Sequence, residues 1–165
     1  MKVTPEKIFW AIRALLYRPF YGKVGVPSYI GSPTYIEGRK NIYIGKRVRI
    51  FPNARMETHA CGKIVINDNV YIGQNCHITS GNTTLVIGEG TAVMANVCIT
   101  NIDHNYEDIG IPVLEQGVTY RETTIGKNCF IGHNAVIQAG VILGNHIIVG
   151  ANSVVNRGGT ATIAY

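Results

Sequence analysis

The sequence predicts an all-β protein, a parallel β-helix of about five three-sided coils preceded by one short helix. The main observation is a repeat of six residues that runs from residue 125 to residue 156. A second observation is that aliphatic residues at the same interval occur earlier in groups of three. A third is the composition, with 19 glycines and 15% charged residues, which suits a repetitive β structure. The first position of the repeat is aliphatic without a miss: Ile125, Ile131, Ile137, Leu143, Val149 and Val155.

A period of six matches neither the 3.6-residue period of a helix nor the simple alternation of a strand. It fits one short extended side followed by a corner. The aliphatic residue and the residue four positions later then face inward, because an even spacing keeps both on one face. Glycine and asparagine, as at Asn128, Asn134 and Asn152, suit corners that need unusual backbone angles. One such unit cannot bury its own apolar face, so many units must stack.

The earlier aliphatic positions fall into groups of three, as a three-sided coil requires. The interval widens only after the third member of a group: to 10 residues after Met56, 9 after Ile78 and 26 after Ile99. All insertions should therefore leave from the same corner. We expect a helix and connector in residues 1–29, a β-helix in residues 30–157 with an excursion at 103–123, and a tail at 158–165. The groups are Ile44, Ile50, Met56; Ile66, Ile72, Ile78; and Ile87, Val93, Ile99.

Residues 4–17 read as a helix with Thr4 as its N-cap and Pro5 at its first position. Its apolar stripe is expected to cover the open end of the solenoid or to meet a neighbouring subunit, because a terminal coil needs a cover. A peripheral contact with a membrane surface is the alternative. The stripe consists of Ile8, Ile12, Leu15 and Leu16, with Phe9 beside it.

The net charge of +5 comes largely from Lys and Arg in the early coils. We interpret them as a solvated basic face; attraction of an anionic substrate or a membrane surface is the alternative. Aromatic residues do not interleave with these charges, so we expect no nucleic-acid partner. No long apolar run or signal peptide is seen, and we expect a cytoplasmic protein. Cys76 and Cys129 fall at inward positions and are expected to be reduced core residues.

The hexads over residues 30–157 resemble those of the hexapeptide-repeat acyltransferases, a resemblance that implies a left-handed β-helix. The run IGEGTAVMANVCITNIDH resembles the coil that precedes the catalytic histidine in the galactoside, maltose and xenobiotic acetyltransferase group, and His104 falls at the matching position. By this resemblance His104 is a general base that deprotonates the acceptor as it attacks acetyl-CoA, since neutral imidazole accepts protons readily. Its orienting partner stays open between Asp108, Glu122 and a backbone carbonyl.

The run FIGHNAVIQAGVILGNHIIVGANSVVNR resembles the last coils of the same family, and the resemblance implies acetyl-CoA contacts there. Phe130 stands where relatives often carry a tryptophan beside the acceptor, and Gln74 or Asn75 matches an amide one coil below the histidine. The resemblance further implies a homotrimer with sites between adjacent prisms, and a sugar or glycan-precursor acceptor of the polysaccharide-biosynthesis type. The implied coenzyme contacts are Gly132, His133, Ala151, Asn156 and Arg157.

Two other functions are considered. The γ-class carbonic anhydrases share the implied fold and hold zinc through an IGHxxxxH run, but here Gln138 replaces the second histidine. A cluster of His77, His104 and His133 would be needed instead, and we expect no metal because glutamine is a poor zinc ligand. A bare scaffold without catalysis is the second alternative. The long excursion that carries His104 argues against it, because such loops are usually functional.

Overall fold

The computed structural model describes residues 4–157 and shows a parallel β-solenoid of six turns with one helix before it. Each turn contributes three short strands. A two-stranded antiparallel hairpin projects after the fourth turn. The left-handed winding implied by the resemblance stays a prediction.

The helices and strands follow one another in a regular order. Helix α1 (Pro5–Tyr17) leads into a 3₁₀ turn (Arg18–Phe20). The first three turns hold β1 (Lys23–Val24), β2 (Tyr29–Ile30), β3 (Tyr35–Glu37); β4 (Ile42–Ile44), β5 (Arg49–Ile50), β6 (Arg55–His59); and β7 (Lys63–Ile66), β8 (Tyr71–Ile72), β9 (His77–Gly81). The fourth turn and the hairpin hold β10 (Thr84–Ile87), β11 (Ala92–Val93), β12 (Cys98–Thr100), β13 (Ile102–His104) and β14 (Val118–Tyr120). The last two turns hold β15 (Thr123–Ile125), β16 (Phe130–Ile131), β17 (Val136–Ile137), β18 (Ile142–Leu143), β19 (Ile148–Val149) and β20 (Val154–Val155). Two more 3₁₀ turns lie at Arg39–Asn41 and Val113–Glu115.

Three six-stranded parallel sheets form the sides of the prism. Sheet A contains the first strand of each turn, in the order β1-β4-β7-β10-β15-β18. Sheet B contains the second strands from β2 to β19, and sheet C the third strands from β3 to β20. The register places each first-position aliphatic residue directly on the one below: Ile44 pairs with Ile66, and Ile87 with Ile125. This in-register stack gives the continuous apolar centre that the period of six predicts.

The core follows the repeat. Ile44, Ile66, Ile87 and Ile125 are each at most 1% exposed. The compact residues four positions after a lead are also buried, including Cys129 and Ala135. The inward assignment of both positions is therefore confirmed.

The corners use asparagine as predicted. Asn128, Asn134 and Asn152 have φ values of 53°, 59° and 59°, a left-handed conformation that asparagine tolerates. Between sheets B and C the asparagine side chains also form a ladder, in which Asn96 donates to Asn134 and Asn134 donates to Asn152, each over 3.0 Å. Each rung satisfies an amide that would otherwise compete with the backbone for hydrogen bonds.

The glycines that follow Ile125 and Ile131 have a different role from the one predicted. Gly126 and Gly132 are not in the left-handed region. A Cβ atom on Gly126 would instead lie 2.3 Å from the carbonyl oxygen of Gly144 in the next turn. These positions need glycine because two backbones approach closely, and the corner angle is taken by the asparagine two residues later.

The solenoid begins earlier than the sequence analysis placed it. Strand β1 lies in the segment predicted to be a connector, and Val24 is buried below Ile44. This strand completes a sixth turn, where the sequence indicated about five coils. All insertions leave from the corner between sheets C and A, as the spacing predicted.

Helix α1 covers the first turn, but with a face other than the predicted stripe. The Trp10 ring lies 5.8 Å from the ring of Tyr29 and 5.5 Å from that of Phe51. Ala14 is buried, and Arg13 donates to the carbonyl of Ile30 at the open edge of the first turn over 3.2 Å. The predicted stripe is exposed instead: Ile8, Phe9, Ile12, Leu15 and Leu16. Among residues 4–157, no helix is long and apolar enough to cross a membrane.

Candidate active site

His104 lies on a structured arm. Strands β13 and β14 pair antiparallel, with His104 opposite Val118 at the outer end of the pair. Beyond them, the Gln116 side chain donates to the carbonyls of Asp108 (3.0 Å) and Ile111 (2.8 Å) and so closes the loop on itself. The predicted loop excursion is therefore a β-hairpin arm, which holds His104 at a defined distance from the prism.

The base of the arm is held by a buried polar network around Asn101. This side chain is fully buried, accepts from the backbone N–H of Gly81 at 2.6 Å, and donates to Ser80 and Thr83 at 2.9 Å each. The backbone carbonyl of Asn101 accepts from the backbone N–H of Arg121, where the arm returns, at 2.9 Å. The entry and exit of the arm are thus fixed to the third turn, below the cleft that His104 faces.

Replacing Asn101 by alanine is expected to lower the free energy of unfolding by about 1–3 kcal/mol, because it leaves the Gly81 N–H buried without its acceptor. Urea denaturation measures this loss. Thr119→Val is the comparison: it removes a half-buried hydrogen bond to Asn105 within the arm and should cost less. Equal stability of the Asn101 variant and the wild type would contradict the anchoring role.

A cleft of about 430 Å³ lies between the arm and the corner of the last two turns. It brings together three of the residues that the sequence singled out, His104, Asn156 and Arg157, although they are some 50 positions apart in the chain. The remaining lining residues are Asp103, Asn105, Tyr106, Glu107, Arg121, Gln138 and Ala139. The cleft therefore combines an exposed imidazole with carboxylates, amides and two guanidinium groups.

Arg121 is a lining residue that the sequence analysis missed. A Cβ atom on Gly140 would lie 3.2 Å from Cδ of both Arg121 and Arg157, so the two arginine stems pass over the same glycine. Nε of Arg121 is buried and has no hydrogen-bond partner within the described part of the chain. Two arginines beside one glycine give this wall of the cleft the capacity to hold an anionic group such as a phosphate. No motif marks Arg121 in the sequence; only its place immediately before the repeat resumes could have suggested it.

The orienting partner of His104 is not fixed within residues 4–157. Neither Asp108 nor Glu122 hydrogen-bonds its ring there, and Asp103 and Glu107 are the carboxylates that line the same cleft. The ring is exposed. Its surroundings in a single chain are consequently incomplete for a base that must be held in one orientation.

The other predicted site residues lie elsewhere on the prism. Gln74, His133 and Ala151 follow the sheet B strands of the third, fifth and sixth turns, at the corner between sheets B and C. Asn75 belongs to the asparagine ladder there. Gly132 lies against the next turn, where a Cβ atom on it would be 2.5 Å from the backbone nitrogen of Ala151. Phe130 points outward from sheet B and is 42% exposed. The predicted residues thus fall into two groups on different corners of one chain.

A second polar cluster, unnoticed in the sequence, covers the lower outer face of sheet C. The nearly buried carboxylate of Glu57 accepts from Arg55 and lies 3.1 Å from Nε2 of His77 and 3.4 Å from Nε2 of His59. The hydrogen bond from Arg55 is the main reason that the pKa of Glu57 is lowered. The alternating outward positions of β6 were the only signal for it.

The fold does not gather the three histidines that a zinc site was thought to need. His77 contacts Glu57 and Thr79 on sheet C, His104 lies on the arm, and His133 lies at the corner between sheets B and C. Among residues 4–157, Glu37, Glu57 and His59 are the one set of three ligand atoms within 4.8 Å of one another, and it includes none of them. Cysteine chemistry is equally unsupported at Cys76, because burial raises the pKa of its thiol to about 11.

The prism, its arm and the cleft between them define a class of protein, the hexapeptide-repeat acyltransferases. Residues 122–157 match the family model described as the hexapeptide repeat of succinyl-transferase. The chain is 31% identical over 150 residues to WbbJ, a putative lipopolysaccharide biosynthesis O-acetyl transferase of Escherichia coli (strain K12), covering 86% of this chain and 74% of that protein. The chain belongs to this family of hexapeptide-repeat acetyltransferases.

Two further comparisons agree with this assignment. The galactoside O-acetyltransferase of Escherichia coli (strain K12) is 25% identical over 146 residues, which cover 88% of this chain and 59% of that enzyme. The crystal structure of AntD, an N-acyltransferase from Bacillus cereus in complex with dTDP and 3-hydroxybutyryl-CoA, superposes with a TM-score of 0.74 at 20% identity, over 87% of this chain and 77% of that one. The second likeness concerns the fold.

Proposed function

We propose that this protein transfers an acetyl group from acetyl-CoA to a hydroxyl, or an amine, of a sugar or glycan precursor. The family supplies the class of reaction, CoA-dependent acyl transfer. The observation that carries the proposal is the cleft in which an arm anchored by a buried network presents His104 beside Asn156 and Arg157. The names of the relatives, a lipopolysaccharide O-acetyl transferase and a galactoside O-acetyltransferase, favour a sugar hydroxyl as the acceptor.

In this reaction His104 acts as the general base. Its imidazole takes the proton of the acceptor hydroxyl while the oxygen attacks the thioester carbonyl of acetyl-CoA. The new carbon–oxygen bond forms, the carbon–sulfur bond breaks, and the imidazolium returns the proton to the departing CoA thiolate. Arg157 and Arg121 lie on the wall of the same cleft and would hold an anionic part of the coenzyme.

The complete site forms between two chains of a homotrimer. His104 and the residues His133, Ala151 and Phe130 lie on different sides of one prism, so one chain alone does not bring them together. The tip of the arm carries large apolar side chains in full contact with solvent, including Ile109 and Leu114, which suits a surface that packs on a neighbour. In a closed ring of three chains each arm would reach the next prism, so that every interface holds one site.

We also place the reaction in the cytoplasm. The four cysteines of the chain are unpaired, and Cys61 is exposed. Free cysteines persist in a reducing compartment, which supports this location.

Release of free CoA thiol tests the proposal. Purified protein is mixed with acetyl-CoA and a panel of sugars and sugar nucleotides, and the thiol is measured with a colorimetric reagent. At least one sugar acceptor should raise the rate of release above the acceptor-free rate, and mass spectrometry should show the acetylated sugar. Binding of acetyl-CoA without any acceptor-dependent release across the panel would argue against a sugar acceptor. Failure to bind acetyl-CoA at all would contradict the transferase function.

A further inference from the structure

The outward face of helix α1 is apolar and unpartnered. Five large side chains on it, Ile8, Phe9, Ile12, Leu15 and Leu16, are each 47–68% exposed. Phe20 in the following 3₁₀ turn is also exposed. The face lies directly opposite the one that packs on the first turn, so it is exposed even though the helix itself is packed on the prism. We call these six residues the α1 apolar face.

Basic side chains surround the C-terminal end of this face. Arg18 is exposed directly after the helix. Lys40 donates to the carbonyl of Pro19 at 2.7 Å, and the Arg39 guanidinium lies 6.0 Å from the centre of the Tyr17 ring. The 3₁₀ turn of Arg39–Asn41 is thereby held against the C-terminal end of α1, which places its positive charges near that end of the helix.

The charge of the whole molecule is polarised in the same direction. Residues 1–50 contain 10 Lys and Arg but 2 Asp and Glu, a net charge of +8, whereas residues 51–165 carry −3. The end of the prism that bears α1 is therefore strongly positive. Two copies that met through this face would bring like charges together, which disfavours self-association there.

From these observations we infer that the α1 apolar face docks on an anionic lipid bilayer. A helix with Phe, Leu and Ile on one face and basic residues at its edge lies in the interfacial plane of a membrane, and anionic headgroups add electrostatic attraction. The occupant must be both apolar and negatively charged, and an anionic bilayer meets both requirements. The contact is peripheral, because α1 has 13 residues.

Docking leaves the proposed active site open. The cleft lies at the corner of the fifth and sixth turns, and successive turns rise by about 4.8 Å, so the cleft would stand roughly 20 Å above the turn that α1 covers. The inference is therefore independent of the proposed function. Substitutions in the α1 apolar face should not change acetyl transfer to a soluble acceptor.

Vesicle co-sedimentation of the full chain tests the inference. Wild-type protein is mixed with vesicles of neutral phosphatidylcholine, or of phosphatidylcholine with about 30% phosphatidylglycerol, in low and high salt. It should sediment with the anionic vesicles, and high salt should reduce the bound fraction. The variant Phe9→Glu/Leu16→Glu should lower binding to anionic vesicles at least about tenfold while melting at the same temperature, since both side chains are exposed.

Ile142→Glu provides the matched control. It replaces one exposed apolar residue of sheet A by glutamate at the opposite end of the prism, as each substitution of the double variant does on the α1 apolar face, and should bind anionic vesicles like the wild type. Absence of wild-type binding to anionic vesicles, or equal binding by the double variant, would overturn the inference. A smaller oligomer of the double variant in light scattering, with vesicle binding unchanged, would instead show that the face joins protein chains.

Discussion

Replacing His104 by alanine is expected to lower the turnover of acetyl transfer by at least about a hundredfold, the usual scale for removing a general base. The physical reason is that the acceptor hydroxyl must lose its proton as it attacks the thioester, and within residues 4–157 of one chain no other imidazole lines the cleft. Stability should be unchanged, because the ring is exposed. Initial rates with saturating acetyl-CoA and acceptor measure the effect.

His146→Asn is the control for this variant. It also removes an exposed imidazole, but at a corner with φ of 60°, where the repeat elsewhere uses asparagine. Its turnover should equal that of the wild type. Full activity in the His104 variant would remove this residue from the role of base.

The His104→Ala variant also tests whether the active site is shared between two chains. Ala151→Arg places a bulky side chain at the exposed corner between sheets B and C, where His133 also lies. This variant is expected to be inactive because the arginine obstructs that side of the site. The Ala151→Arg and His104→Ala proteins are then unfolded and refolded together. In the mixed trimers, about a quarter of the interfaces should join the intact arm of an Ala151→Arg chain to the open corner of a His104→Ala chain, so up to about a quarter of wild-type activity should return. No recovery would mean that each site belongs to one chain.

Most of the fold could be predicted because one physical requirement repeats. Each first-position aliphatic residue must face the centre, and insertions can leave only where they do not break the stack, so Ile99 and Ile125 belong to adjacent turns despite the long arm between them. Only the first strand of the first turn was missed, and the reason is local. Between Val24 and Ile30 the corner is built with Pro27, where the third, fourth and fifth turns use Asn69, Gly90 and Asn128, and the strongest corner signal is lost.

The orientation of α1 shows a limit of amphipathic reasoning. The most apolar face of a helix is normally assigned to the core. Here the end of the prism offers the rings of Tyr29 and Phe51 and a free backbone edge, which Trp10 and Arg13 match better than a row of aliphatic side chains. The stripe is then left outside. Sequence patterning identifies such a face but does not say which surface covers it.

The candidate site was only partly predictable. His104, Asn156 and Arg157 could be selected through the resemblance to the hexapeptide-repeat acyltransferases, and the cleft brings them together. Arg121 enters the cleft because the arm returns over Gly140, a consequence of the hairpin register that no local motif reveals. The cluster of Glu57 depends on the pairing of β6 with β9 across the coils, which also lies beyond local sequence patterns.

Gly126→Ala is expected to lower the free energy of unfolding by about 3 kcal/mol. The added methyl group would lie 2.3 Å from the carbonyl oxygen of Gly144 and 2.5 Å from its carbon, and backbone atoms in the middle of a stack cannot move aside without breaking ladder hydrogen bonds. The backbone angles of Gly126 are ordinary, so the loss comes from the contact alone. Urea unfolding followed by circular dichroism measures it.

Gly144→Ala is the matched substitution at the same position of the next turn. No described atom lies within 4 Å of the Cβ position there, so stability should be unchanged or raised by up to about 1 kcal/mol through the loss of chain entropy in the unfolded state. The difference between the two variants isolates the spacing between turns from any general preference for glycine. If both lost stability equally, the glycines would be required for backbone conformation. If neither did, the turns would not be packed as closely as the stacked register requires.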